Sequence, residues 1–367
     1  MRYAIQEKTA LFRIGIFKVL KKQAMGRILI TGATGFVGSH VTEHFCEKGK
    51  NIRCLVRKSS DIQHIRNLPV EIYYGDITKL NEINDSLNNV EFIIHIAGVT
   101  KDWGNYNDFY KVNVAGTMNI LKAGFNAGIN HIIITGSISS YGEEDCNTFK
   151  NEDSPYNSHY QYFLDNIFPC KMNYYMDTKA LSTQEAIKFA QEKKLNLTVI
   201  EPAWVYGERE FNTGFYQYIK TVKSGLPFLP GSLRNNFHVI YAKDLAQAYY
   251  QAYLIKPAGV QRIIVGNKYP EKMEKIYSLF CKELGIKKPA NLPKWISYPF
   301  AFIIELIFTI FGSEKPPLLT RGRINMLYDN IGYSTLKAEN LLSFTCQYTL
   351  EKGIQNTVHW YKKHNLI

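Results

Sequence analysis

Residues 27–47 read RILITGATGFVGSHVTEHFCE. A short apolar run, Arg27 to Thr31, is followed by a turn with glycine at 32, 35 and 38, and then by a mixed stretch with helical spacing. The order predicts a buried strand, a tight turn and a helix through about residue 47. Gly32 permits the tight turn, Gly35 lets a ligand approach the backbone, and Gly38 lets helix and strand pack closely. A helix that starts on such a turn presents unpaired N–H groups and a partial positive charge. Phosphate groups suit that position.

The same alternation continues outward from this stretch. Strands are expected at 27–31, 51–56, 70–74, 91–96, 131–135 and 197–201, with helices at 79–87, 106–127 and 172–193 between them. The strands are short, rich in Ile and Val, and apolar on both faces, which suits a buried parallel sheet. The fold class is therefore α/β, a doubly wound parallel sheet. After residue 202 the regularity fades into helices near 213–224 and 243–254, a turn at 229–232 and further helical stretches. The expected organisation is a dinucleotide-binding core over 25–202 and a mixed, mainly helical substrate region over 203–367, some core elements returning after 235.

Composition narrows the class further. Of 367 residues, 46% are hydrophobic and 21% charged, so the chain can build a packed core. No apolar run of 18 or more lacks a charge, which excludes a multi-span membrane protein. Lys and Arg exceed Asp and Glu by 44 to 32, a net charge of +12 that suits a phosphorylated ligand, nucleic acid or an anionic surface. No nucleic-acid motif accompanies the charge. The six cysteines are scattered without a Cys-x-x-Cys pair, which points to thiols in a reducing compartment and to no metal. Residues 1–24 carry Arg2, Lys8, Arg13, Lys18, Lys21 and Lys22 against Glu7 alone. They read either as a basic arm for an anionic membrane surface or as sequence upstream of a true start at Met25.

Several side chains are candidates for binding and chemistry. The second strand ends Leu55-Val56-Arg57-Lys58. An NAD site expects Asp or Glu near Val56, to grip the adenosine ribose. Arg57 and Lys58 suit the 2′-phosphate of NADP instead, while Asp61 remains within reach of a ribose. NADP is thus modestly favoured over NAD. Asp76, after the third strand, is placed for the adenine amine, and the small Ala97 and Gly98 leave room for a ribose. Tyr175 and Lys179 lie four apart on one helix face. An ammonium beside a phenol favours its ionised form, and such a phenol can exchange a proton with an alcohol or carbonyl. Ser137, just past the fifth strand, can donate to a developing alkoxide; Ser139 and Ser140 are rivals for that part.

Together TGATGFVG (31–38), NVAGT (113–117), TGSISSYG (135–142), YMDTK (175–179) and EPAWVYG (201–207) resemble the extended short-chain dehydrogenase/reductase family. The resemblance covers roughly residues 27–365. It implies a Rossmann core and an active site of Ser137, Tyr175 and Lys179, with Asn113 as the family's helix asparagine. It also implies cofactor contacts from Gly32, Thr34, Gly35, Phe36, Val37 and Gly38, from Asp76 and Ile77, and from Pro202 and Val205. Lys179 would bind the nicotinamide ribose as well. Two departures stand out. Glu201 precedes Pro202 where the family usually has Arg, and the 38 residues from Ser137 to Tyr175 imply an insertion near 145–172 that borders the substrate.

Residues 334–342 (STLKAENLL) and 349–361 (TLEKGIQNTVHWY) resemble the tail of the 3-beta-hydroxysteroid dehydrogenase branch. Residues 295–312, WISYPFAFIIELIFTIFG, form an apolar helix with Lys on one flank, Lys and Arg on the other and Glu305 inside it. These features lead to an expected hydrophobic, sterol- or lipid-like small-molecule substrate and peripheral membrane contact through that helix. A core or dimer helix is the other reading. A homodimer, in the cytoplasm or peripheral at the inner face of a membrane, completes the expectation. A nucleotide-sugar epimerase on the same fold is the principal rival. Dehydration is disfavoured, because Ile138-Ser139-Ser140 stands where the family's dehydratases carry Thr-Asp-Glu. A silent cofactor-sensing protein is a third reading, against which the Tyr-Lys pair counts.

Overall fold

A computed structural model describes residues 26–367 except 143–144, 147, 212–213 and 232–233. The two readings of residues 1–24 lie outside the described residues. Seven strands form one parallel sheet: β1 (Arg27–Thr31), β2 (Ile52–Val56), β3 (Val70–Tyr74), β4 (Val90–His95), β5 (His131–Thr135), β6 (Asn196–Pro202) and β7 (Val260–Val265). Their order across the sheet is β7-β6-β5-β4-β1-β2-β3. The order reverses between β1 and β4, where a doubly wound sheet opens its binding crevice at the carboxyl ends of the strands.

Alternation along each strand feeds two cores. Ile28 and Ile30 of β1, Phe92 and Ile94 of β4 and Ile133 of β5 join one apolar layer with Val41 and Phe45 of helix α1 (Phe36–Glu47). Leu29, Ile93, Ile132 and Ile134 face the other way, against Ile83 of helix α2 (Leu80–Ser86), Ile120 of α3 (Thr117–Asn126) and Ala186 of α4 (Met172–Lys193). Leu245 and Ala248 of α5 (Ala242–Ile255) complete the first layer. Each fully buried Ile or Leu contributes ~1.5–3 kcal/mol, so the two layers dominate stability. The region after β6 is smaller and mainly helical.

The expected continuous helix over 106–127 is interrupted. Tyr106–Phe109 is α-helical and Tyr110–Gly116 widens into a π-helical stretch before α3 begins. Asn113 lies inside the widened part. Its Nδ2 donates to the carbonyl of Val99 at 3.1 Å and to Thr178 Oγ1 at 3.2 Å, while its Oδ1 accepts from the Val99 amide at 2.7 Å. Single π turns often mark functional places of this kind. The expected turn at 229–232 also differs: Phe228–Pro230 is a short strand, paired in parallel with Ala290–Leu292.

The apolar helix is α6 (Lys294–Ile310), 17 residues long. Its inward face carries Ala301 and Glu305, and Glu305 is 2% exposed. Arg321 opens helix α7 (Arg321–Tyr328) and meets both Glu305 oxygens, from Nε and Nη2 at 3.0 Å each. The same guanidinium donates to the carbonyls of Phe163 and, at 2.6 Å, Phe168, so one ion pair ties α6, α7 and the insertion together. Phe300, Ile303 and Ile307 on the outward face are exposed. The expectation of membrane association is corrected here: among the described residues no helix is long and apolar enough to cross a membrane, and the helix's one carboxylate is a protein contact.

Removing one partner of a buried pair leaves the other charge uncompensated. Glu305→Ala is therefore expected to lower the unfolding free energy by ~3–5 kcal/mol in urea titrations. Limited proteolysis should cut the variant faster near Phe163–Phe168, where Arg321 no longer holds the backbone.

Candidate active site

The glycine turn follows β1 at the sheet's carboxyl edge. Gly32 has φ +74°, and a Cβ there would lie 2.6 Å from the Ala97 amide nitrogen at the end of β4. A Cβ on Gly38 would lie 2.0 Å from the Gly32 carbonyl oxygen. Helix and turn are thus in backbone contact, which only glycine allows. Gly35 is the N-cap of α1; no side chain caps that end, and its first turn holds no acid. Gly35 is exposed, while Thr34, Phe36 and Val37 are half-buried around it. This open, uncapped helix start fits the pyrophosphate of a dinucleotide.

The edge of the sheet beyond β2 and β3 is polar. Arg57 and Lys58 are exposed just past β2. Asp76 Oδ1 accepts from the Thr78 amide at 2.8 Å. Burial pushes the Asp76 carboxyl up, but the Thr78 bonds with Arg57 and Lys79 outweigh it and hold it below the usual range. Ile77 is buried, its side chain occupying the space a Cβ on Gly116 would need. Gly98 is exposed at the end of the turn after β4, and a Cβ there would lie 3.2 Å from Asn113 Oδ1. Pro202 closes β6, and Val205 pairs with Ile240 one turn further on; both are half-buried.

Tyr175, Ser137 and Lys179 come together beyond β5. The Tyr175 hydroxyl donates to Ser137 Oγ at 3.3 Å across 38 residues of chain. Of the three candidate serines, Ser137 is the one Tyr175 reaches. Its Oγ also accepts from the Ser139 amide at 3.2 Å and bonds Ser139 Oγ at 2.7 Å, which pins the short 3₁₀ turn Ile138–Tyr141. Lys179 is 9% exposed and donates to the Thr135 carbonyl. Burial lowers its pKa to about 8, with Glu201 pulling it back up. Thr178 accepts from Asn113, so α4 and the π-helical stretch are joined directly beside Tyr175.

Residues that the sequence reading passed over support this site. His95 bridges Thr31 Oγ1 at 2.7 Å and Thr117 Oγ1 at 3.0 Å, and Thr117 donates to the Asn113 carbonyl at 2.6 Å. Burial and the Lys179 charge push His95 down to about 3, so it works as a neutral spacer. Tyr249 of α5 bonds Thr135 Oγ1 at 2.7 Å from the opposite layer. The available sign at His95 was a polar residue inside an apolar strand, where it breaks an Ile run. The insertion packs on the same region. Asn157 donates to the Ser140 carbonyl at 3.0 Å, and Lys150 to the Tyr141 carbonyl at 2.7 Å.

Comparison with known proteins agrees with this geometry. Residues 28–265 match the model of the NAD dependent epimerase/dehydratase family. Sterol-4-alpha-carboxylate 3-dehydrogenase, decarboxylating, of Mus musculus is 24% identical over 338 residues, covering 90% of this chain and 89% of its own length. Among solved structures, MoeE5 in complex with UDP-glucose and NAD superposes with a TM-score of 0.71 at 19% identity, over 93% of this chain and 100% of its own. UDP-glucose 4-epimerase of Thermotoga maritima, with UDP-glucose, gives 0.71 at 19% identity over 92% and 99%. Against the expectation of a hydrophobic substrate, both of these solved structures hold a nucleotide sugar, UDP-glucose. The Tyr175 hydroxyl meets Ser137, while the residue packs beside the apolar cluster of Tyr162, Cys170, Met172 and Met176. NAD is the cofactor found in such structures, and a preference for NADP gains no support from them.

With its glycine turn, its Tyr175–Ser137 contact and the match over residues 28–265, the chain belongs to the NAD dependent epimerase/dehydratase family and is an NAD(P)-dependent enzyme of the oxidoreductase/epimerase type.

Proposed function

We propose that the chain is a nucleotide-sugar epimerase in which Tyr175 is the acid/base. The observation that carries the chemistry is the 3.3 Å bond from the Tyr175 hydroxyl to Ser137 Oγ, at the carboxyl edge of the sheet with Lys179 buried behind it. Bound NAD supplies a reversible two-electron acceptor. Tyr175 takes the proton from a sugar hydroxyl as its carbon is oxidised and returns it when the carbon is reduced on the other face. Ser137 donates to the oxygen on which charge develops, and its own position is fixed by Ser139. Lys179 contributes positive charge beneath the site. Gly32, Gly35 and Gly38 seat the pyrophosphate, with Thr34, Phe36 and Val37 around it. Asp76 serves the adenine, and Pro202 and Val205 the nicotinamide end. The nucleotide-sugar class is supported by the UDP-glucose complexes on this fold, and a net charge of +12 suits a substrate with two phosphates.

Incubation with UDP-glucose or UDP-glucuronic acid, followed by chromatography, tests the reading. The expected result is an epimerised product with no net NADH. Accumulating NADH would instead mark a dehydrogenase. Failure of both probes to bind or turn over would remove the nucleotide-sugar class.

Tyr175→Phe is expected to lower turnover by ~10²–10⁴-fold while the Kd for NAD stays within about twofold. A loss below tenfold would take the acid/base role from Tyr175. Arg57 and Lys58 carry a second expectation, since no acid stands at Val56. Replacing both by Ala should weaken NADP more than NAD, read as the ratio of the two Kd values. An unchanged ratio would show that neither cation meets a 2′-phosphate.

A further inference from the structure

Glu201 is a fully buried carboxylate near the end of β6, at 0% exposure. It lies directly beneath the turn that carries Ser137: a Cβ on Gly136 would sit 2.7 Å from Glu201 Cγ. Two phenols donate to it, Tyr141 at 2.6 Å from the end of that turn and Tyr156 from the insertion. Arg262 of β7 approaches it at 3.5 Å, with its guanidinium over the rings of Tyr156 at 4.2 Å and Tyr141 at 4.9 Å. An apolar residue would fill the place at lower desolvation cost.

We propose that Glu201 is a positioning residue: it anchors the Ser137 turn through Tyr141 and supplies the negative charge that keeps Lys179 an ammonium for the cofactor ribose. The inference rests on the reading of Ser137, Tyr175 and Lys179 as the active site. Burial, with Glu152 nearby, leaves the Glu201 carboxyl above its usual range, while Arg262 and the Tyr141 and Tyr156 hydroxyls favour its ionised form. Lys179 Nζ donates to the Thr135 carbonyl, and Glu201 packs under the next residue, Gly136; the other titratable groups around it are Tyr175 one helical turn back, His95 on β4 and, bonded to Thr135, Tyr249 on α5. His95 titrates near 3, well below Lys179, and burial holds Tyr249 above its usual range. Glu201 is the carboxylate in that set, and it opposes the burial that brings Lys179 to about 8. A charged donor bonds a ribose hydroxyl roughly twice as strongly as a neutral one, so affinity for the cofactor should fall as Lys179 loses its proton.

The test is the Kd for NADH by fluorescence titration between pH 6 and 10. In the wild type, affinity should weaken as pH rises through the region near 8. Glu201→Gln removes the charge but keeps size and an acceptor oxygen. Its midpoint should move to lower pH by about 1 unit, because Lys179 loses its proton more readily. Tyr156→Phe removes one donor, leaves Glu201 easier to protonate and should move the midpoint the same way by less; it also serves if Glu201→Gln does not fold. A midpoint unmoved in the variants, with or without uniformly weaker binding, overturns the proposal and leaves only a structural role. Lys179→Gln separates the two readings. It should flatten the wild-type pH dependence; if the dependence persists in that variant, or is absent from the wild type, the placement of Lys179 at the cofactor fails instead.

Discussion

Backbone-to-backbone contact at the first turn is the constraint on which the remaining geometry depends. Gly38 lets α1 rest on the Gly32 carbonyl, and Gly32 lets β1 and the end of β4 approach without a side chain between them. The contact sets the height of α1 above the sheet and leaves its first turn uncapped. It also brings the segment after β4, with Gly98 and Val99, under Asn113. Every later feature of the site is built on that edge of the sheet.

A belt of polar side chains then carries the geometry sideways, from Thr31 through His95 and Thr117 to Asn113, and from Asn113 to Thr178 on α4. Each member is buried and satisfied, and buried networks of this kind hold one arrangement because any other leaves a polar group unpaired. Tyr175 and Lys179 sit on either side of Thr178, so their helix cannot slide along the sheet without breaking the belt. Thr135 is clamped from below by Tyr249 and its carbonyl is met from above by Lys179, which joins the two apolar layers through the sheet.

Much of this was legible in the sequence. The strand periodicity, the glycine turn and the Tyr-x-x-x-Lys spacing are local patterns, and β1, β3 and α4 begin and end where those patterns do. The parts that were not legible are long-range. Whether Glu305 faces lipid, water or protein depends on Arg321, which helical spacing cannot reveal. The π turn at Asn113 depends on the Val99 backbone and on Thr178, 65 residues away. Among the serines of its turn, Ser137 is set apart in space by where Tyr175 arrives from 38 residues downstream. Glu201 was visible as the residue before Pro202 where the family usually has Arg, but its partners Tyr141, Tyr156 and Arg262 come from three separate segments.

The widened stretch Tyr110–Gly116 changes the angular phase of its helix. Each residue of an α-helix advances about 100° around the axis, and a π turn accommodates one residue more than an α turn. Tyr106 and Phe109, ahead of the widening, lie edge-on to Tyr174 at 5.7 and 6.4 Å between ring centres. Thr117, Ile120 and Leu121, behind it, face the sheet. Excising one residue from the stretch would restore an unbroken spiral and rotate the first segment by about 100° relative to the second. Both sets of contacts could not then be kept at once. The surplus residue is therefore a phase shifter, by which one helix serves the sheet with its rear half and the helix of Tyr175 with its front.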